Sequence, residues 1–201
     1  MLELLAKGGV VMIPIGLCSV AALAIILERL WSLRRGQVIP PQAVYRIEEW
    51  VLRGEIDRAR EACESSDSSY AKSLLSGLNR AGERRRVIKE AVEEAGRQEI
   101  IHLERYLTLL GTIVSISPLL GLLGTVLGMI KVFTIISTVG VGDPGVLANG
   151  IGEALITTAA GLSVAIPALV CHRYFHRVID RYSAELERFA LAVVEHIKSG
   201  H

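Results

Sequence analysis

The 201 residues are 51% apolar, with a mean hydropathy of +0.42, yet they carry 22 basic and 21 acidic side chains. An average soluble domain is less apolar than this, so the charges must be segregated from long apolar stretches. The net charge of +1 identifies no partner, and Cys18, Cys63 and Cys171 have neither zinc-type spacing nor the density of a disulfide framework.

Three runs without a charge are long enough, or nearly so with their neighbours, to cross a bilayer core of about 30 Å: Gly8 to Leu27, Leu107 to Ile130, and Ala154 to Cys171. The first run exceeds the apolar core of a cleaved leader and is followed by Arg29, Arg34 and Arg35, which favours a retained helix. After it, Pro40-Pro41 breaks the helix, and Val44, Ile47, Val51 and Leu52 form one apolar stripe. Gly54 ends that helix, Asp57 is an N-cap candidate for the next, which runs to about Cys63, and Ser65 to Ser69 precedes a helix over Tyr70 to Leu78. This region is expected to form a small cytoplasmic helical bundle.

From Glu83 to the second apolar run no proline intervenes until Pro118, which predicts one long helix leaving the bilayer, with Gly96 its weak interior position. The last 30 residues continue the third run as an amphipathic helix with Val178, Tyr182, Leu186, Phe189 and Val193 on its apolar face. No strand-like alternation occurs. The fold class is therefore all-α, an integral membrane protein with three transmembrane helices, two of them extended into the cytoplasm, plus the helical bundle.

Charge placement predicts the orientation. Residues Glu28 to Tyr106 hold 15 Lys and Arg and the tail from His172 holds five, whereas Ile135 to Gly152 has none and the start of the chain only Lys7. Basic residues beside the membrane favour the cytoplasmic side. The expected layout is a first membrane helix over 1–33 beginning in the periplasm, a cytoplasmic region over 34–106, and a second membrane helix over 107–137. A periplasmic loop over 138–147, a third membrane helix over 148–172 and a cytoplasmic helix over 173–201 complete it. Trp31, Tyr106 and Tyr174 fall at span ends, where aromatic rings anchor.

Glu153 is the residue that asks for a function. A carboxylate at membrane depth costs about 2.5 to 3.5 kcal/mol on insertion scales and persists where it faces protein or water. Were the third helix to begin near Glu153, the acid would merely cap it in the headgroup region. A start just after Asp143-Pro144, favoured by proline in a first helical turn, moves Glu153 inward. Around it, Gly121, Gly124, Thr125 and Gly128 in the second run and Gly150, Ala154, Thr157, Thr158, Gly161 and Ala165 in the third have the spacing of close helix packing. Packing needs no hydroxyls, so the threonines are candidates for a polar path, although back-bonding to the preceding turn is their commoner use. Thr157 lies about 40° from Glu153 around a helix and Thr158 about 140°.

Lys131, late in the second run, is expected to snorkel outward; an ion pair with Glu153 is the alternative, and it would oppose proton exchange. His172 and His176 share a face but lack a third ligand, so a basic collar is expected rather than a metal site. No GxxxxGK[ST] phosphate loop and no nucleophile with an adjacent base is found. No enzyme, cofactor, metal or nucleic-acid partner is expected.

The segment SPLLGLLGTVLGMIKVF, followed after a short connection by NGIGEALITTAAGLSVAIPALV, resembles the paired-helix signature of the ExbB/TolQ/MotA proton-channel family, most closely its ExbB and TolQ members. The resemblance covers the topology of the whole chain and the motifs of roughly 107 to 171. It implies a pentamer around a single-span ExbD/TolR-like partner whose membrane aspartate works with an acid on the third helix. Carried over, the acid is Glu153, the second-helix threonine Thr125 and the third-helix threonine Thr158; Thr157 is added from spacing. It further implies coupling through a TonB/TolA-like protein to outer-membrane transport, with a TolQ-like envelope-maintenance role as the alternative. A non-conducting scaffold held by its small-residue faces is the rival outside the family's activity. MotA-like chains have four spans, against three here.

Overall fold

The computed structural model describes residues 8–139 and 144–197. Lys7, Asp143, residues 140–143 of the expected loop and residues 198–201 of the expected C-terminal helix lie outside the described residues. Every described element of regular structure is a helix, and three are long and apolar enough to cross a membrane. The protein is an all-α membrane protein. Its chain forms two compact units: one draws on the chain up to Leu27 and on Leu107–Arg173, the other on Glu28–Tyr106 and the chain from Tyr174 onward.

In the first unit, α1 spans Met12–Ser32, α7 spans Leu107–Val139 and α8 spans Pro144–Val194, the last continuing into the second unit. Leu17, Val20, Leu23, Leu119, Leu122, Leu155, Ile166 and Val170 stand exposed along these helices. In lipid such exposure carries no hydrophobic penalty, while the helical backbone satisfies its own hydrogen bonds. Pro118 and Pro167 lie inside α7 and α8. Because α8 begins at Pro144, Glu153 lies nine residues along it, about 13 Å from its start.

The second unit begins within α1 and continues with α2 over Arg35–Val38, α3 over Pro41–Leu52, α4 over Ile56–Glu64, α5 over Ser69–Leu78 and α6 over Arg85–Glu104. Pro41 opens α3 at a position where no amide partner is needed. Val44, Ile47 and Val51 face the core, but Leu52, expected on the same stripe, is 64% exposed. Leu52 ends the helix, and Gly54 at φ +75° turns the chain away immediately after it. That early turn also corrects the reading of Asp57: α4 starts at Ile56 with Glu55 at its cap, and Asp57 sits in the first turn, 3.0 Å from Arg60 Nη1. An acid there still complements the helix dipole. Ser68 caps α5 by accepting from the Ala71 amide at 3.3 Å.

Tyr70, fully buried, meets Phe189 edge to face with centroids 6.1 Å apart. Of the face expected on the C-terminal helix, Val178, Tyr182, Leu186 and Val193 are buried and Phe189 is half-buried. Tyr182 donates its hydroxyl to Leu33 O at 2.8 Å.

The long helix expected from Glu83 runs over Arg85–Thr138, with a local irregularity at Arg105-Tyr106 that divides it into α6 and α7. Arg105 keeps helical angles, but its amide donates to His102 O, three residues back, which tightens the last turn. Leu103 O meanwhile accepts from Arg29 Nη1 at 2.7 Å. Arg29 is only 4% exposed; Glu28 accepts from it at 2.8 Å and its guanidinium lies 5.0 Å over the Tyr106 ring. A buried cation satisfied from three sides thus occupies the carbonyl end of α6.

Cys63 is 2% exposed, and burial, reinforced by the neighbouring Glu64 carboxylate, pushes its thiol up to about 12 from 9.0. In a Cys18→Ser/Cys171→Ser background, alkylation of Cys63 at pH 8 is expected to run roughly a thousandfold slower in folded protein than in urea, because the thiolate fraction falls by that factor. Rates within tenfold of each other would contradict the placement of Cys63 in the core.

Candidate functional site

The seam between α7 and α8 is built from residues with little or no side chain. A Cβ on Gly121 would stand 3.0 Å from both Thr157 O and Thr158 Cα, and one on Gly161 would stand 2.5 Å from Ser117 O. Gly128 faces Gly150 O and Ala154 in the same way, and a Cβ on Gly124 would overlap the Thr157 side chain. The two backbones therefore touch, which is how helices associate where lipid removes the hydrophobic drive.

The two adjacent threonines use that contact differently. Thr158 donates its hydroxyl across the seam to Gly121 O at 3.1 Å. Thr157 is 1% exposed, packs on Gly124, and returns its hydroxyl to Ala154 O at 2.8 Å, with Glu153 O at 3.3 Å. Thr125, half-buried on α7, donates to Leu122 O at 2.6 Å. All three hydroxyls thus donate to backbone carbonyls. Each keeps lone pairs with which to accept from a water or an acid.

Glu153 has a different partner. Lys131 Nζ lies 2.9 Å from Glu153 Oε2, with the lysine side chain 62% and the carboxylate 22% exposed. The lysine expected to snorkel outward is instead paired with the acid. Depth along α7 favours snorkelling, but the register fixed by the glycine contacts places the lysine stem beside the carboxylate, and pairing removes two isolated charges at once. Lys131 is the sole charged residue of α7, and Glu153 the sole acid of α8 before Asp180.

The other carboxylate oxygen, Oε1, lies against Gly9, whose Cβ would overlap it. Gly9 has φ +69°, and the turn is closed by the Met12 amide on Gly9 O at 3.2 Å. Only a glycine adopts that conformation at that distance without strain. Val11, Met12 and Ile15 anchor the turn against Leu120, Ala160 and Val164. The Gly8-Gly9 pair announces a turn in the sequence, but nothing there links it to Glu153.

Ser117 is the second residue that motif reading passes over. It is fully buried, and its hydroxyl has no protein partner. Its position four residues before Gly121 on the contact stripe was the available signal. At the other end of the seam, His172 packs on Gly111. Among the described residues no three His, Cys, Asp or Glu side chains converge as a metal site would require.

These contacts predict opposite outcomes for two small changes. Gly161→Ala forces the backbones apart and is expected to cost about 1 to 3 kcal/mol, as overpacking does, read as a lowered melting temperature in detergent. Ser117→Ala removes a buried hydroxyl that has no protein partner and is expected to leave stability unchanged or raise it by up to about 1 kcal/mol. Equal destabilisation by both would disprove the described seam.

Residues 63–188 match the model of the MotA/TolQ/ExbB proton channel family. The ExbB-like 1 protein of Synechocystis sp. is 36% identical over 94% of this chain and 75% of its own length. The ExbB-like 3 protein of the same organism is 34% identical over 92% and 86%. The biopolymer transport protein exbB1 of Vibrio cholerae is 51% identical over 84 residues, which are 41% of this chain and 36% of that protein. With three membrane-length helices and the family match across most of its length, the chain belongs to the MotA/TolQ/ExbB proton channel family.

Proposed function

We propose that this chain is the proton-channel subunit of a stator-like, energy-transducing complex in the bacterial inner membrane, acting as a channel component and not as an enzyme. It draws on the proton motive force and, through a single-span ExbD/TolR-like partner and a TonB/TolA-like protein, energises TonB-dependent outer-membrane transport. The observation that carries this reading is Glu153, an acid held partly exposed within an otherwise apolar membrane helix and beside a seam of hydroxyls.

In the proposed cycle Glu153 takes up a proton from one side, becomes neutral, and releases it toward the other. Thr125, Thr157 and Thr158 line the route, their free lone pairs accepting from the proton-bearing species. One charge moving through 100 mV yields about 2.3 kcal/mol, so several protons supply a useful mechanical step. The supporting frame is a pentamer of this chain around the partner helices. In this reading the membrane spans are 1–33, 107–137 and 148–172, and the distribution of basic residues favours a periplasmic start and cytoplasmic placement of 34–106 and 173–201.

Glu153→Gln preserves size and hydrogen bonding but carries no exchangeable acid. It is expected to abolish proton flux in proteoliposomes of the intact complex, and energised uptake in cells, while the complex still assembles. Thr158→Val is expected to reduce both by about tenfold or less, in line with a loss of about 1 kcal/mol from one hydrogen bond. Unchanged flux and uptake in Glu153→Gln would favour a non-conducting scaffold held together by the same seam.

A further inference from the structure

The Glu153 carboxylate is held from within the chain, Oε2 paired with the Lys131 ammonium at 2.9 Å and Oε1 lying against the Gly9 turn. For Glu153 to carry a proton, the ammonium must give up its anion. The exchange is balanced as one ion pair plus one proton becoming a neutral acid plus a free ammonium. A lone ammonium at membrane depth is costly, whereas the pair is tolerated. Protonation of Glu153 is thus tied to finding Lys131 another place.

Lys131 is the less confined partner. Its side chain is 62% exposed, against 22% for Glu153, and it lies eight residues, about 12 Å, from the end of α7. A four-carbon stem reaches several ångströms further toward polar surroundings. The carboxylate has no such freedom: it is backed by Gly9, and Thr157 one turn along α8 is locked against Gly124.

We infer that Lys131 is a latch on the proton-carrying site: paired with Glu153 it holds the acid out of exchange, and its departure admits the proton. This inference rests on Glu153 being the carrier. Lys131 is accordingly a positioning residue that acts through Glu153, and any influence that gives the ammonium an alternative anion opens the site.

The test uses the complex isolated by a tag on this chain from the membranes of its own host and reconstituted in proteoliposomes under an imposed potential. Lys131→Met keeps the stem and deletes the charge, and it is expected to raise basal proton flux at least threefold. Lys131→Arg is expected to stay near the wild-type rate. Infrared difference spectra of Lys131→Met are expected to gain a protonated-carboxyl band that Glu153→Gln removes, a change that loss of packing alone does not produce. Flux in Lys131→Met at or below the wild-type rate overturns the latch. Raised flux that persists in the Lys131→Met/Glu153→Gln double variant overturns instead the assignment of Glu153 as carrier, so the two readings fail separately.

Discussion

The backbone contact between α7 and α8 sets the register on which the site depends. Gly121 and Gly161 let the chains touch where any side chain would hold them apart, and in lipid the energy of that association comes from packing and interhelical hydrogen bonds, not from expelled water. The Thr158 hydroxyl on Gly121 O then pins the helices along their length. With that register fixed, Glu153 is presented one turn beyond Thr157, level with Lys131. The small residues therefore do more than allow packing: they decide which charge the acid meets.

What was legible in the sequence follows from which properties are local. Length and apolarity of the three runs are local, and so is the uninterrupted helical patterning, so the fold class can be read directly. Proline in a first turn is local too, and α8 begins at Pro144. The departures arise where a partner decides. Leu52 has the right spacing for its stripe, but the chain turns at Gly54 before anything covers it. The local irregularity at Arg105-Tyr106 leaves no mark in propensity; beside it Arg29, 74 positions away, donates to Leu103 O. Depth, a one-dimensional quantity, predicts snorkelling for Lys131, whereas its pairing depends on rotation about α7 and on contacts with α8. The carrying role of Glu153 and the threonines is a different kind of reading, which rests on chemistry and family membership.

The turn at Gly9 shows how a site can be closed by a segment with no chemistry of its own. Its contribution is geometric: a positive φ and a missing Cβ bring backbone against Oε1. Motif reading searches for residues that donate, accept or titrate, and passes over a residue whose function is to occupy space closely. Ser117 escapes for the opposite reason, since its hydroxyl is chemically ordinary and only its complete burial without a partner sets it apart.

Arg29 and Lys131 show how the surroundings of a cation determine its use. The Arg29 guanidinium is buried and is held by Glu28, Leu103 O and the Tyr106 face. Moving it would strand several donors and an acceptor at once, so it serves as a fixed fastening at the end of α6. Lys131 has a compact ammonium on a flexible stem, one carboxylate partner, and most of its surface exposed. Releasing it breaks one ion pair, and protonation of that same carboxylate removes the attraction that held it. A fork of donors suits a position that must not change. A single charge on a flexible stem suits one that can change.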